Sequence, residues 1–377
     1  MRVLSVFGTR PEAIKMAPVV KALIASEGIE PFTCVTGQHR TMLDQVLGLF
    51  NITPYYDLDV MQANQTLNGL TARVISRLDP ILDELKPDYV LVHGDTTTAM
   101  AACVAALHRN VRVGHVEAGL RTYNLQKPWP EEMNRRIIDV GAAKLFAPTR
   151  SSADNLRSER IEGEIIVTGN TVIDALKETV ERIRTDAVLS GQLQESFSFI
   201  KPDQRVLLVT GHRRESFGDG FLNICRALAE LSTRRDLQIV YPVHLNPNVQ
   251  GPVKELLSNH ENIHLIEPQE YLSFVYLMDR ADIILTDSGG VQEEAPSFGK
   301  PVLVMRDVTE RPEAIAAGVV RLVGTDVARI VHETSTLLDD EVLYASFARA
   351  VNPYGDGLAA RRIADSLLGK PVTPFVS

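Results

Sequence analysis

VTGHRRESF, at residues 209–217, and TDSGGVQEE, at residues 286–294, each follow an apolar run and consist of small and charged residues. Each is typical of a buried β-strand that leads through a polar loop into a helix. In open α/β sheets, loops at the carboxyl ends of strands bind anionic ligands. The first loop supplies cations, and the second supplies a helix N-terminus whose free N–H groups suit a phosphate. Together they predict a ligand that carries a diphosphate.

Short β-branched runs alternate with longer amphipathic stretches along the chain. We predict strands at residues 3–7, 32–35, 89–92, 111–116 and 165–167, and again at 206–209, 239–241, 263–266, 283–285 and 302–304. Apolar strands that alternate with helices indicate parallel sheets covered on both faces. The sequence therefore predicts an α/β protein of two Rossmann-like, doubly wound domains that face each other across a central cleft.

The length of 377 residues fits two domains better than one core. A helix predicted from residue 172 to about 188 precedes a polar stretch at 190–204, which we interpret as the linker near the hinge. The predicted boundaries are 1–189 for the N-terminal domain and 190–356 for the C-terminal domain.

Composition narrows the function further. A net charge of −9 argues against a general nucleic-acid binder, which needs a positive surface. The three widely spaced cysteines match neither a disulfide framework nor a zinc site, which fits a reducing cytoplasm. The apolar runs are too short for a signal peptide or a membrane span, so we expect neither export nor membrane insertion. A complete phosphate-binding P-loop and a complete GxGxxG dinucleotide motif are both missing, so we expect no ATP-driven or nicotinamide chemistry.

Three carboxylates follow predicted strands or open helices in the first half of the chain. Asp95 lies in VHGDTTT, Glu117 in GHVEAGLR and Glu131 in WPEEMNR. Asp95 can instead cap the helix that follows, and Glu131 can simply complement a helix dipole. Three carboxylates in one cleft suit acid–base chemistry that removes a proton at one face and delivers one at another.

Histidines beside these carboxylates raise the alternative of a metal site. The His-x-Glu of His115 and Glu117 resembles part of the zinc deaminase motif, but no Pro-Cys-x-x-Cys follows, so we expect no metal. We expect His93 and His115 to be neutral and satisfied by nearby backbone groups.

Cationic side chains follow other predicted strands. Arg10 and Lys15 lie in FGTRPEAIK, a strand, a turn and a helix start with Pro11 in its first turn; a solvated helix start is the alternative. His212, Arg213 and Arg214 opposite residues 288–290 predict a diphosphate clamp. Glu294 lies about one helical turn beyond Gly290, where its carboxylate can accept hydrogen bonds from the hydroxyls of a ribose. Arg311 in TERPE can reach the same ligand or form a salt bridge at its helix.

These motifs resemble those of the non-hydrolysing UDP-N-acetylglucosamine 2-epimerases. The similarity runs from FGTRPE at residue 7 to NPYGDG at residue 352, and includes HGDTT, GHVEAGLR, GHRRES, DSGG and TERPE. The resemblance implies a GT-B fold whose C-terminal helix and tail, residues 357–377, cross back to the first domain. It implies reversible conversion of UDP-N-acetylglucosamine into UDP-N-acetylmannosamine without a cofactor. UDP is eliminated to leave a 2-acetamidoglucal and is then re-added. A homodimer is also implied.

The resemblance carries over to individual residues. Asp95, Glu117 and Glu131 match the essential acidic residues of the family, and Arg10, Lys15 and His212 match residues around the diphosphate and sugar; we count His212 with the catalytic residues. Matches to substrate-binding and UDP-binding positions are Arg213, Gln269, Phe274, Ser288, Gly289, Gly290, Glu294 and Arg311. Bacterial relatives bind a second UDP-N-acetylglucosamine, and Gln38, His39 and Arg40 match residues of that regulatory site.

Three other functions remain compatible with the sequence. A GT-B glycosyltransferase would use the same nucleotide site but pass the sugar to an acceptor. A hydrolysing epimerase would release free N-acetylmannosamine, and a sugar-nucleotide sensor would not react at all. The retained Asp95, Glu117 and Glu131 argue against the sensor.

Overall fold

A computed structural model describes residues 1–37, 40–62, 64–213, 216–309, 311–348 and 351–376; only the backbone is described for 40, 41 and 348. Within these residues the chain forms two compact units. Unit 1 comprises Met1–Ala175 and Tyr354–Ser377, and unit 2 comprises Leu176–Pro353. The domain boundaries stated above stay predictions.

Unit 1 is built on a parallel sheet of seven strands in the order β3-β2-β1-β4-β5-β6-β7. Its strands are β1 (Arg2–Phe7), β2 (Glu30–Val35), β3 (Tyr56–Asp57), β4 (Tyr89–His93), β5 (Arg112–Val116), β6 (Lys144–Ala147) and β7 (Glu164–Val167). Every residue of the central strand β4 is buried, as expected for a sheet covered on both faces.

The helices of unit 1 follow the strands in the alternating pattern predicted from the sequence. They are α1 (Arg10–Ile24), α2 (Arg40–Leu49), α3 (Leu67–Leu85), α4 (Thr97–His108), α5 (Glu131–Gly141), α6 (Arg150–Ser158) and, near the C-terminus, α16 (Ala359–Leu367). Helix α16 is held by Asp174, whose carboxylate accepts hydrogen bonds from the backbone N–H groups of Ala359 and Ala360. Helix α7 (Thr171–Thr185) runs from unit 1 into unit 2.

Unit 2 repeats the architecture with six parallel strands in the order β10-β9-β8-β11-β12-β13. The strands are β8 (Arg205–Thr210), β9 (Leu237–Pro242), β10 (Ile263–Ile266), β11 (Ile283–Thr286), β12 (Val302–Val304) and β13 (Val320–Leu322). The helices are α8 (Ala187–Ser196), α9 (Asp219–Leu231), α10 (Pro247–Leu257), α11 (Tyr271–Arg280), α12 (Gly289–Glu294), α13 (Pro312–Ala316), α14 (Val327–Asp339) and α15 (Glu341–Ala348). A 3-10 turn, Ala295–Phe298, follows α12.

The predicted fold class is confirmed: both units are Rossmann-like, doubly wound parallel sheets of the GT-B class. Three short strands, β3, β6 and β13, were not predicted. Residues 190–196 of the predicted linker belong to helix α8, which Asp186 caps by accepting a hydrogen bond from the Leu189 N–H. No helix in the described residues is long and apolar enough to cross a membrane.

Candidate active site

Three strand ends of unit 1 bring the predicted carboxylates and cations to one edge of the sheet. β1, β4 and β5 are neighbours and run parallel, so the loops that follow them lie side by side. Arg10 opens α1, Asp95 follows β4 and Glu117 follows β5. The sequence prediction that these segments lie at strand ends is therefore confirmed.

Buried Glu12 ties two of these loops together. Its Oε2 accepts hydrogen bonds from the backbone N–H groups of Gly8 (3.0 Å) and Thr9 (2.7 Å), and its Oε1 accepts one from the Thr96 hydroxyl (2.7 Å). Thr9 and Glu12 form a capping box at the start of α1. Burial raises the pKa of Glu12, although these hydrogen bonds act to lower it.

Glu117 lies between a cation and a neutral histidine. It pairs with Lys15, and its Oε2 accepts a hydrogen bond from the Asn170 side chain at 3.0 Å. His93 Nε2 is 3.8 Å from the same oxygen. Burial lowers the pKa of His93 to about 4, so its ring is neutral near pH 7, as predicted. Its Nε2 has no hydrogen-bond partner among the described residues, so the predicted backbone contact is not present at that atom. Glu117 has a φ of 68°, a left-handed conformation uncommon outside glycine.

Asp95 is held by helix α5 rather than acting as a helix cap. Its carboxylate pairs with Arg135, and its backbone oxygen accepts a hydrogen bond from the Asn134 side chain at 2.9 Å. The N-cap of α4 is Thr96, whose hydroxyl accepts from the Ala99 N–H. The alternative of a capping role for Asp95 is therefore wrong.

Glu131 is the first residue of α5, which fits the predicted first-turn position. Its Oε2 is buried and has no hydrogen-bond partner among the described residues. Neighbouring Glu132 is fully buried and accepts hydrogen bonds from the backbone N–H groups of Thr122 and Tyr123. The two adjacent glutamates thus differ. Glu132 holds the preceding loop through its hydrogen bonds, whereas Glu131 Oε2 accepts no hydrogen bond from the described residues.

His115 departs from its prediction of a neutral ring satisfied by backbone. Its Nε2 lies 2.7 Å from the backbone oxygen of Gly94, but its Nδ1 lies 2.6 Å from the carboxylate of Asp139. Asp139 and Arg135 were not singled out from the sequence. Both lie on α5. The signal that could have identified them is the recurrence of polar residues every few positions along that helix.

In unit 2, Asp287 joins the two motifs that open the sequence. Its Oδ2 accepts hydrogen bonds from the backbone N–H groups of His212 (2.7 Å) and Arg213 (2.8 Å). β8 and β11 are neighbours, and the hydroxyls of Thr210 and Thr286 at their ends are 2.6 Å apart. The two loops therefore lie together at one sheet edge, as predicted.

His212 is accessible at this edge, with a side chain 43% exposed. It stacks on His244, with ring centroids 5.0 Å apart. Partial burial lowers its pKa, and nearby His244 and Arg213 act in the same direction, while Asp287 opposes them. The ring is therefore a neutral hydrogen-bonding group at pH 7.

Helix α12 carries the small residues and the carboxylate predicted for nucleotide binding. Ser288 is its N-cap, Gly289 and Gly290 form its first turn, and Glu294 ends it. Tyr271, at the start of α11, donates its hydroxyl to Glu294 Oε2 at 3.0 Å. This tyrosine was not singled out from the sequence.

Other predicted nucleotide residues lie on neighbouring segments. Arg311 pairs with buried Glu293, so the salt bridge considered from the sequence is present. Gln269 lies just before Glu270, the N-cap of α11, and donates to the Glu267 backbone oxygen, and Phe274 is a half-buried residue of α11.

Some predicted residues lie outside what the structure describes. Gln38, His39 and Arg214 are not among the described residues, and only the backbone of Arg40 is described, at the start of α2. Within the described ranges, no group of three or more histidine, cysteine, aspartate or glutamate residues is placed to hold a metal ion.

Comparison with known proteins gives a consistent result. A family model described as UDP-N-acetylglucosamine 2-epimerase matches residues 21–368. The UDP-N-acetylglucosamine 2-epimerase of Escherichia coli K12 is 58% identical over 369 residues, 97% of this chain and 98% of that protein.

Solved structures agree with the sequence comparison. The Neisseria meningitidis UDP-GlcNAc 2-epimerase, crystallised with UDP-GlcNAc, is 52% identical with a TM-score of 0.90, and the match covers 98% of this chain and 100% of that one. An S. aureus protein solved with UDP is 43% identical with a TM-score of 0.86, and the match covers 100% of both chains.

Proposed function

This chain belongs to the UDP-N-acetylglucosamine 2-epimerase family, and we propose from that membership that it interconverts UDP-N-acetylglucosamine and UDP-N-acetylmannosamine. The observation that carries the proposal is the edge of unit 1 where Asp95 and Glu117 are each paired with a cation and a buried oxygen of Glu131 has no hydrogen-bond partner within the described part of the chain. Such a set of carboxylates suits proton removal and proton delivery.

We propose an elimination and re-addition route of the non-hydrolysing type. The C1–O bond breaks, and its electron pair leaves with the diphosphate oxygen of UDP. A base removes the C2 proton, and the electrons of that C–H bond form the C1–C2 double bond of 2-acetamidoglucal. Protonation at the opposite face of C2 and attack by the UDP oxygen at C1 complete the inversion, so all atoms are conserved and no redox cofactor is needed.

The charges of unit 1 support this order of events. The C2 hydrogen has no adjacent carbonyl to acidify it, so C1–O cleavage must run ahead and leave positive charge at C1. Carboxylates of Asp95, Glu117 and Glu131 stabilise such a charge. Arg10 and Lys15 are proposed to stabilise the departing diphosphate, a role that suits cationic side chains.

The nucleotide is assigned to the strand ends of unit 2. We propose that His212, Arg213 and the N–H groups at Ser288, Gly289 and Gly290 bind the diphosphate, since backbone donors and cations are the groups that bind phosphates. Glu294, oriented by Tyr271, is proposed to accept the ribose hydroxyls. Gln269 and Phe274 are proposed to contact the uracil. Arg311, paired with Glu293 of α12, is also proposed to bind UDP.

We also propose a homodimer and a second nucleotide-sugar site that includes Gln38, His39 and Arg40. The homodimer is supported by an exposed apolar stripe on α5, formed by Met133, Ile137 and Val140, which are 38%, 40% and 74% exposed. The second site rests on the motif resemblance alone.

Turnover in D2O tests the proposed reaction. Because the C2 proton exchanges with solvent during elimination, UDP-N-acetylmannosamine formed from UDP-N-acetylglucosamine should carry deuterium at C2, as read by proton NMR. Free N-acetylmannosamine as the main product would indicate a hydrolysing enzyme. Product that retains the original C2 hydrogen would rule out the elimination route.

A further inference from the structure

A buried chain of charged groups lies behind the turn that presents Asp95. His115 and Asp139 both have fully buried side chains, with His115 Nδ1 at 2.6 Å from Asp139 Oδ1. Arg121, also fully buried, contacts the second oxygen of Asp139 at 2.7 Å and binds Glu159 through two hydrogen bonds of 2.8 and 2.9 Å. At the other end, His115 Nε2 is 2.7 Å from the backbone oxygen of Gly94.

The hydrogen bonds define the state of the histidine. A carboxylate oxygen and a backbone carbonyl oxygen are both acceptors, so each ring nitrogen of His115 must donate, and only the imidazolium has two N–H groups. The neighbouring carboxylate is its counter-ion. Burial alone would raise the pKa of Asp139, but contact with the His115 and Arg121 cations lowers it below the usual range.

The hydrogen bond from His115 reaches the carbonyl of Gly94, the residue directly before Asp95. Gly94 has a φ of 65°, and its carbonyl belongs to the peptide group whose N–H is that of Asp95. The direction of this carbonyl therefore sets the plane from which the Asp95 side chain departs. Its own N–H donates to the Val116 oxygen at 2.9 Å, so the turn is held from both sides.

Helix α5 supplies the other contacts to the same turn. Asn134 holds the backbone oxygen of Asp95, Arg135 pairs with its carboxylate, and Asp139 holds His115 one turn later. The helix begins with Glu131. One rigid element thus carries one candidate carboxylate and fixes another.

We propose that the His115–Asp139 pair is a positioning device for the reaction: the imidazolium fixes the Gly94 carbonyl and thereby the orientation of the Asp95 carboxylate relative to Glu131. The inference rests on the proposed epimerase function, since it assigns Asp95 to the chemistry. His115 itself does not touch substrate. Its effect is on geometry, and errors of about 1 Å in reacting groups can cost ~10²-fold in rate.

Kinetics of Asp139→Asn test the proposal. The amide keeps the size of the carboxylate but removes the counter-ion, so His115 becomes neutral and its hydrogen bond to the Gly94 oxygen loses its charge assistance. We expect kcat to fall by about 10²-fold, with KM and the Kd for UDP within about two-fold of wild type.

Lys144→Met is the matched control. Lys144 is also nearly buried in unit 1 and pairs with Glu164, but it lies at the first residue of β6, the opposite end of the sheet from Asp95. It should keep the wild-type kcat. Wild-type kcat in Asp139→Asn, or an equal loss in Lys144→Met, would overturn the positioning role.

Ring NMR of the wild-type protein tests the protonation state of His115 directly. With ¹⁵N-labelled histidine, and His115→Gln used to assign the signals, both ring nitrogens of His115 should carry slowly exchanging protons at pH 7. A ring protonated at one nitrogen only would refute the proposal. If the wild type fails to epimerise UDP-N-acetylglucosamine, the proposed function falls, whereas the state of the His115 ring is still decided by this spectrum.

Discussion

Individual side chains divide into those proposed to transfer protons and those proposed to bind UDP. Asp95→Asn, Glu117→Gln and Glu131→Gln keep shape but remove charge and basicity, so each should lower kcat by ~10²- to 10⁴-fold with little change in UDP affinity. His212→Ala and Arg311→Ala should weaken UDP binding as well, the latter also because Glu293 is left buried without its cation. Steady-state kinetics and calorimetry with UDP measure the two effects.

The exposed His332, on α14 of the same unit as His212, provides the control. His332→Ala should bind UDP like wild type. Normal UDP affinity in both His212→Ala and Arg311→Ala would remove those residues from the nucleotide site.

His93 makes a separate prediction about acid stability. Its folded pKa of about 4 lies below the ~6.5 of an unfolded histidine, so the neutral buried ring contributes stability above pH 6.5 that is lost as the pH falls towards 4. Between pH 7 and pH 5 this loss amounts to about 2 kcal/mol. Denaturant unfolding measures the fall in the free energy of unfolding between pH 7 and pH 5. This fall should be smaller in His93→Gln than in wild type, whereas His108→Gln, at an exposed position on α4, should show the wild-type fall. An identical pH dependence in wild type and His93→Gln would contradict the assignment.

Sequence patterns identified the residues at strand ends but not the partners that hold them. Asp95, Glu117 and His212 were found because each lies close behind an apolar run. Asp139 lies in mid-helix, and its pairing with His115 depends on how α5 packs on β5, which no local pattern encodes. Burial of Asp287 under the His212 loop is a tertiary contact of the same kind.

Among the helices, α5 has its polarity reversed. Its buried residues include Glu132, Asn134, Arg135 and Asp139, while apolar Ile137 and Val140 are exposed. A surface helix normally buries its apolar face. The polar residues on the buried face of α5 are explained by the contacts that hold Asp95. The apolar residues on its exposed face form the proposed dimer contact.

A pair of substitutions on α5 tests that contact. Ile137→Lys combined with Val140→Lys places two charges on the stripe, so the proposed dimer should dissociate, as measured by light scattering on a size-exclusion column. The control adds the same charges elsewhere: Val188→Lys on α8 with Val342→Lys on α15, both exposed valines of unit 2. A wild-type protein that is monomeric at micromolar concentration, or a dimer untouched by the α5 pair, would count against the proposal.

Element prediction failed where an element was short or its composition misleading. β3 has two residues and β13 three, too few for a periodic signal, and β6 begins with Lys144, whose charge is satisfied by Glu164 and Ser366. Helix α8 was taken for a linker because it is polar. Leu193 is its one buried residue, and just beyond its C-terminal end Phe197 stacks on Tyr276 with ring centroids 5.6 Å apart.

For the chain as a whole, the pattern of two repeated strand–helix series was sufficient to predict two doubly wound sheets, because alternation of buried strands and helices has few other solutions. The motif at residues 36–40, which follows β2 in the sequence, is the remaining functional prediction. If it forms part of a second UDP-N-acetylglucosamine site, binding there should be coupled to turnover, and such coupling is typically worth ~1 to 3 kcal/mol.

Activation by the substrate itself is then expected. Pure UDP-N-acetylmannosamine should be converted slowly until traces of UDP-N-acetylglucosamine are added, and the forward rate should be sigmoidal in substrate concentration. Gln38→Ala combined with Arg40→Ala should abolish this activation while leaving UDP affinity near wild type, because UDP is assigned to residues of unit 2. Hyperbolic kinetics in both directions, without a lag and unchanged by the paired substitution, would remove the second site and leave the epimerase proposal standing, since the D2O experiment judges that separately.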